Sequence, residues 1–345
     1  MGGDLLALLP QLTASRDAAA ATLRRGHAPD FSVIIATRDR AESLRETLTS
    51  VANQKTDGCW TYEVLVVDNG SSDHTRRVVE ALSAEFPVPL RYLYEGRPGK
   101  PWALNAGMQE AKGKLFAFTD DDVLVTPSWL QVLWRCFAET HADAISGRVL
   151  PIWTAPRPAW LTDETFRLLG GMGCIDHGDL RRNTLDGHNC RGVGGNMAIH
   201  REAVQRVGAY DMRMNRSQDT EYYHRCVRKR LQVIYEPAAI AHHKIPSERM
   251  TPAYFRQWRH RTGYYKTYMV PWRKRHLLTL MPMWRYKKTA KLMLKWTQAT
   301  VSLQPWEERF RYELMLREDL SSWKHRLQLW PHWWLTMVTG RRYVP

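Results

Sequence analysis

The chain has 345 residues, 44% hydrophobic and 25% charged, with a net charge of +15. That length supplies one large domain or two smaller ones. The composition excludes a disordered chain, and no run reaches the ~18–20 apolar residues of a membrane-spanning helix. The charge is unevenly placed: residues 248–345 hold 20 Lys and Arg against 6 Asp and Glu, with nine of the fifteen tryptophans, whereas residues 1–247 balance 30 against 29.

In chain order, "DLLALLPQL" is too short for a signal peptide, carries Asp4 and is broken by Pro10. Myristoylation after Met1-Gly2 would want Ser or Thr at the sixth position, which is Leu6. A short N-terminal helix to about Arg25 is expected, in a cytosolic protein. "FSVIIAT" then reads as a buried strand, followed by a helical pattern in "RAESLRETLTSVANQ". "YEVLVVDNGSSD" is a second strand ending in a polar turn, with Ser72 or Asp73 placed to cap "HTRRVVEALSAEF". "LRYLYE" and "KLFAFTD" repeat the strand pattern around a helical "KPWALNAGMQEAKG", and "DAISGRVLPIW" closes the series. Such alternation predicts an α/β domain with a mixed, mostly parallel sheet flanked by helices. A composition boundary near Ser247 sets off the basic, Trp-rich remainder as a mainly helical region. The expected division is therefore 1–30, 31–247 and 248–345.

The five cysteines are odd in number and scattered, which suits a reducing compartment. Cys174, His177, His188 and Cys190 are four potential zinc ligands, but their spacing matches no common zinc module. Free thiols and loop histidines are expected there.

Ligands of such sheets sit beyond the carboxyl ends of the strands, where Thr37-Arg38-Asp39, Asp68-Asn69 and the triplet Asp120-Asp121-Asp122 fall. Three adjacent carboxylates at the end of a buried strand repel one another unless a cation or strong donors compensate. A turn or helix cap would need only one of them. The first strand ends in "ATRDRAES", without the G-x-G-x-x-G of a dinucleotide site, and "GRPGKPW" is too short for a P-loop. A diphosphate bound here would need a divalent ion and a few basic groups, and hard cations prefer carboxylate oxygens.

In this order, "SVIIATRDR", "VLVVDNGSSD", "GKPWALNAGMQEAKGKLFAFTDDD", "GVGGNMAIHREAVQRVGAYD", "SQDTEYYHRCVRKR" and "EPAAIAHHKIP" resemble the family 2 glycosyltransferases, inverting sugar-nucleotide enzymes of the GT-A fold. The resemblance covers residues 31 to about 250. It implies a GT-A-type, Rossmann-like sheet in which Asp68 reads the uracil edge and Lys100 faces the phosphates. By the same resemblance Thr37, Arg38, Asp39 and Asn105 belong to the nucleotide-sugar site, and Gly195 and Asn196 to the acceptor-side loop by the sugar. The competing readings are a solvated loop lysine for Lys100 and a plain structural turn for the glycines.

Inverting transfer needs a base opposite the departing UDP and a cation to absorb its charge. Asp219 is the expected base, with Glu221 next in line, although Gln218 stands where the family usually carries Glu. An ordinary helix with acids in its first turn competes with that role. Asp122 is expected to ligate Mn²⁺ or Mg²⁺, with Asp120 at the ribose or a metal-bound water. Asp121 shares either role or turns the chain. His243 is expected to complete the metal sphere. His242 is hardly separable from it by sequence, though register with "KIP" favours His243.

The function expected is metal-dependent, inverting transfer of a sugar from a UDP-sugar to a hydroxyl of a glycan or lipid-linked glycan. A sugar nucleotidyltransferase of the same fold would want a glycine-rich triphosphate loop, which "ATRDRAES" lacks. A nucleic-acid-binding protein is the other rival, suggested by the basic aromatic tail, but no such signature occurs and no nucleic acid is expected. The tail is instead expected to lie as amphipathic helices on an anionic membrane surface, with the protein cytoplasmic and peripheral on the inner face of the membrane.

Overall fold

The computed structural model describes residues 28–269 and 282–339. The expected N-terminal helix lies outside the described residues. The chain divides into two units. The first runs to Ile152 and takes in Gly173–Met212 and Gln218–Lys244; the second is built from Trp153–Met172, Arg213–Ser217 and Ile245–Pro345. The last segment begins close to the composition change at Ser247. The two upstream stretches of the second unit are ones that composition does not set apart.

Four parallel strands form one half of the first unit's sheet, in the order β3 (Leu90–Tyr94), β2 (Tyr62–Asp68), β1 (Phe31–Thr37), β4 (Leu115–Asp120). Every residue of β1 and β2 is buried, as expected for strands covered on both faces. Side chains alternate between two cores. Val33 and Ile35 join Leu44, Leu48 and Val51 of α1 (Ala41–Ala52) and Trp129, Leu130 and Leu133 of α4 (Trp129–Thr140). Ile34 and Ala36 join Ala103, Leu104 and Met108 of α3 (Lys100–Glu110) on the other face. Helix α3 lies so close to the sheet that a Cβ at Gly107 would meet Ile34 Cγ2 at 2.6 Å. Helix α2 (Thr75–Ser83) follows β2, and Asp73 serves two helix starts at once. Its carboxylate accepts from Thr75 N at 2.9 Å and from Ala41 N at 3.0 Å, meeting orphan amides of both.

The register aligns the polar ends: Thr37 pairs with Asp68, and Ala36 with Asp120. Beyond β4 the sheet continues through β8 (Met197–His200), which is antiparallel to both β4 and β6 (Ala144–Trp153), and then to the long β9 (Val233–Ile245) on the far side of β6. The short β5 (Val123–Val125) follows the triplet directly and pairs with β9, Val123 opposite His243. A two-residue β7 (Arg182–Asn183) also pairs with β9. Helices α6 (Arg201–Val207) and α7 (Gln218–Arg228) join the α3 side of the core through Val207, Tyr222 and Tyr223.

The second unit is helical. Its α5 (Asp163–Leu169) is capped by Thr162, whose hydroxyl accepts from Thr165 N at 3.1 Å. Thr251 likewise caps α8 (Pro252–Lys266), accepting from Tyr254 N at 3.2 Å. Helix α8 meets α10 (Trp306–Thr339) through Arg256–Glu313, Arg259–Glu318 and Lys266–Glu318 pairs. The helices touch so closely that a Cβ at Gly263 would lie 1.9 Å from the Glu318 carbonyl oxygen. Trp160, Phe255, Trp306 and Phe310 form an aromatic knot, so part of the tryptophan content is core. Helix α9 (Met283–Val301) buries Arg285, Leu292 and Ala299, seven residues apart on one stripe. Met283, Trp284, Met293, Leu294 and Trp296 remain exposed. No helix of the described residues is long and apolar enough to cross a membrane.

Candidate functional site

The Asp triplet sits where β4 gives way to β5, and each of its carboxylates meets a cationic side chain. Lys100, the first residue of α3, places Nζ 2.5 Å from Asp120 Oδ1. Asp121 accepts from Thr37 Oγ1 and from Arg40 Nη1, both at 2.8 Å, and the same Nη1 reaches Asp122 Oδ2 at 2.8 Å. The Asp121 carbonyl accepts from Ser43 Oγ of α1 at 2.8 Å. Burial pushes the Asp121 carboxyl above its ordinary range, and the Asp122 and Asp120 charges add to this against the pull of Arg40. For Lys100 burial is the largest influence and favours the neutral amine. The three carboxylates outweigh it and hold the ammonium above its ordinary value.

Strand pairing supplies the other side. Val123 opposite His243 brings His243 Nε2 to 3.4 Å from Asp122 Oδ2. Adjacent residues of a strand point to opposite faces, so His242 does not share that approach. Cys174 Sγ stands 4.0 Å from His243 Nδ1. Among the described residues no three His, Cys, Asp or Glu side chains are grouped to hold a metal. The expected trio of Asp120, Asp122 and His243 is therefore not gathered, because Asp120 is drawn to the Lys100 ammonium. The converging donors are Asp122 and His243. The Cys174, His177, His188, Cys190 set does not form a cluster either; the His177 ring instead meets the Arg191 carbonyl at 2.9 Å.

Gly194 and Gly195 connect this cluster to the expected base. A Cβ on Gly195 would lie 3.7 Å from Asp120 Oδ2, and one on Gly194 3.9 Å from both Lys100 Nζ and Asp219 Cβ. Asp219, at the start of α7, accepts from Gly194 N at 3.1 Å and from Thr220 N at 2.7 Å. Lys100, Asp120 and Asp219 thus surround one glycine turn. Glu221 is not a comparable base, because both its oxygens accept from Arg225 Nε at 2.9 Å.

Other expected residues hold the frame. Asp68 is buried and accepts from Ser71 N at 2.8 Å and Tyr92 OH at 2.7 Å. Arg38 and Asp39 are exposed, and Asp39 Oδ1 accepts from Ser72 N at 2.6 Å, which pins the β1 and β2 loops together. Asn105 exchanges two bonds with the Tyr210 backbone, at 3.0 and 2.8 Å. Asn196 is 0% exposed, and its amide is satisfied by the Arg148 and Ala239 carbonyls and Trp129 Nε1. These bonds correct the expected sugar-facing role of Asn196: it staples β6, β9 and α4 and has no polar atom left for a ligand.

Arg40 is not among the expected residues, and Asn69 is expected at the strand ends without a role. Arg40 lies two residues from the chosen Arg38, and nothing in "TRDR" separates them. Asp39 takes a left-handed backbone, φ 51°, and Arg40 just beyond it is the one bound to the triplet. Asn69 holds the loop before Lys100, donating to the Glu95 and Arg97 carbonyls and accepting from Gly99 N at 2.7 Å.

Residues 32–208 match the model of glycosyl transferase family 2. The chain is 26% identical over 65% of its length to a succinoglycan biosynthesis protein, ExoM, of Rhizobium meliloti, covering 70% of that protein. It is 29% identical over 62% of its length to a glucosyl-dolichyl phosphate glucuronosyltransferase of Haloferax volcanii, covering 69% of it. Among solved structures, the mannosyltransferase PcManGT of Pyrobaculum calidifontis, in complex with GDP-Man and Mn²⁺, shares the fold. The TM-score is 0.56 at 18% identity, over 93% of this chain and 98% of that one.

Proposed function

Since the chain belongs to glycosyl transferase family 2 and is a glycosyltransferase of GT-A fold, we propose that it transfers a sugar, with inversion, from a UDP-sugar to a hydroxyl of a glycan or lipid-linked glycan. The observation that carries this reading is the convergence of Lys100, Asp120 and Asp219 on Gly194-Gly195, beside Asp122 and His243. A cation facing the diphosphate and a carboxylate facing the acceptor are the two groups such a transfer needs.

Asp122 and His243 offer one carboxylate oxygen and one imidazole nitrogen, donors suited to Mn²⁺ and acceptable to Mg²⁺. These two would hold the ion, which commonly completes its sphere with phosphate oxygens and water. When bound, it would neutralise charge on the leaving diphosphate. Lys100 supplies a second positive charge at the same place. Asp219, oriented by the Gly194 and Thr220 amides, takes the proton of the acceptor hydroxyl. The glycine turn leaves room for the sugar between them.

Metal dependence accords with the similar mannosyltransferase, whose structure contains Mn²⁺, although its donor is GDP-Man. The similar glucuronosyltransferase carries glucosyl-dolichyl phosphate in its name, which favours a lipid-linked acceptor. The exposed side of α9 supports work at a membrane surface: Trp284, Met293, Leu294 and Trp296 stand among Lys287, Lys288, Lys291 and Lys295.

The test is a thermal-shift and calorimetric screen of UDP-, GDP- and dTDP-sugars with and without Mn²⁺, followed by product analysis of the anomeric linkage. UDP-sugar stabilisation that requires Mn²⁺, and a product of inverted configuration, are expected. Preference for a GDP-sugar, or equal binding in EDTA, would overturn the donor and metal assignments respectively.

A further inference from the structure

A cavity of about 350 Å³ opens within the second unit, lined by Asn215, Arg216, His260, Arg261, Tyr264 and Tyr265. Four of these come from α8 at positions i, i+1, i+4 and i+5, which share one helix face. No carboxylate is among the six. Helix α8 thus sorts its cations: Arg256, Arg259 and Lys266 are paired with Glu313 or Glu318, whereas Arg261 turns towards the cavity. Among the described residues neither Arg216 nor Arg261 is paired with an acid. Burial, with the like charges of Arg261 and Arg249 adding to it, pushes Arg216 below its ordinary value, against the partial opposition of the Tyr254 hydroxyl. Crowded guanidinium groups in a partly enclosed space are stabilised by an anion. Two forked donors beside tyrosine hydroxyls suit the several oxygens of a phosphate better than a single carboxylate.

We infer that this cavity is a phosphate-binding site, and that the phosphate it takes belongs to the acceptor. The second clause rests on the glycosyltransferase reading of the first unit; the first does not. Arg216 lies three residues before Asp219 in the chain, so covalent geometry alone keeps their backbones within ~11 Å. The cavity volume exceeds what an inorganic ion needs and is at the lower end for small-molecule sites, which leaves room for a neighbouring sugar or the first part of a lipid chain.

The experiment titrates inorganic phosphate, pyrophosphate and a short-chain prenyl phosphate into the full chain with UDP present at saturation, so that the nucleotide site is filled. Binding is expected, weakened at least tenfold by Arg216→Gln and by Arg261→Gln, and weakened less by Arg216→Lys, which keeps the charge but not the fork, with UDP affinity unchanged throughout. Tighter binding of the prenyl phosphate identifies a lipid-linked acceptor; equal affinity for all three overturns that assignment and leaves a site for phosphate alone. No binding to the wild type, or binding that both Gln variants retain, overturns the site itself. Should Arg216→Gln fail to fold, the exposed Arg261→Gln carries the same decision. Failure of UDP itself to bind would count against the glycosyltransferase reading and not against this one.

Discussion

A single Arg40 nitrogen, Nη1, is bound to both Asp121 Oδ1 and Asp122 Oδ2 at 2.8 Å. It therefore stands on the same oxygen of Asp122 that His243 approaches. Two carboxylates buried side by side are costly without a cation, and Arg40 meets that need from the protein itself. Arg40→Gln is expected to lower stability by roughly 1–3 kcal/mol in divalent-free buffer, discounted because Arg40 is partly exposed. Mn²⁺ should then raise the melting temperature of the variant more than that of the wild type. Asp122→Ala should abolish the metal-dependent part of UDP binding. Calorimetry showing the same UDP affinity with and without EDTA, in both proteins, would remove Asp122 from the metal's coordination.

Asp219→Asn should leave donor affinity nearly unchanged and reduce transfer by ~10² to 10⁴, the usual contribution of a general base. The amide keeps an oxygen for Gly194 N, so the glycine turn is expected to hold. Glu221→Gln should lose stability and not chemistry, since its carboxylate is held by Arg225. Wild-type turnover by the Asn variant with the true acceptor would place the base elsewhere.

Sedimentation with anionic vesicles tests the role of α9. Replacing Lys287, Lys288, Lys291 and Lys295 by Gln should release the protein into the supernatant, each Lys near the surface contributing about 1 kcal/mol. Because the second unit also contains Trp153–Met172 and Arg213–Ser217, truncation after Ser247 would dismantle it and is a poor test. Retention of the quadruple variant on the vesicles at low salt would discard the electrostatic reading.

Glu318 links pH to the stability of the helical unit. Burial would raise its pKa, but Lys266 and Arg259 outweigh burial and hold the carboxyl below its ordinary value. A folded value below the unfolded one means the unfolded chain binds protons first as pH falls. The contribution of Glu318 is therefore complete above the ordinary value of about 4.3 and is lost as pH descends through the lowered folded value. Thermal unfolding of Glu318→Gln should show a lower midpoint at pH 7 and a shallower decline below pH ~4.3 than the wild type. Parallel declines would show that Glu318 does not set the acid limb.

Much of the architecture is legible in the sequence. Strands β1, β2 and β4 are buried on both faces, so each is a largely apolar run, interrupted early only by Ser32 in β1 and Glu63 in β2, that ends abruptly in polar residues. The aligned ends follow from parallel pairing, and the Asp triplet announces a charge that something must compensate. The change in composition near Ser247 is equally plain, because charge and tryptophan counts need no folding to be seen.

What compensates the triplet was decided only by tertiary contacts. Arg40 lies 81 residues from Asp121, and "TRDR" offers two arginines with equal claim. His242 and His243 differ only in which face of β9 each occupies, and the pairing with β5 makes that choice. Asn196 and Asn105 look like ligand-binding amides in sequence, yet their partners Trp129 and Tyr210 lie 67 and 105 residues away and take up their hydrogen bonds. A strand's burial is set by its own residues and their period. The role of a polar side chain is set by whichever distant group reaches it first, and that depends on the register and packing of the whole sheet.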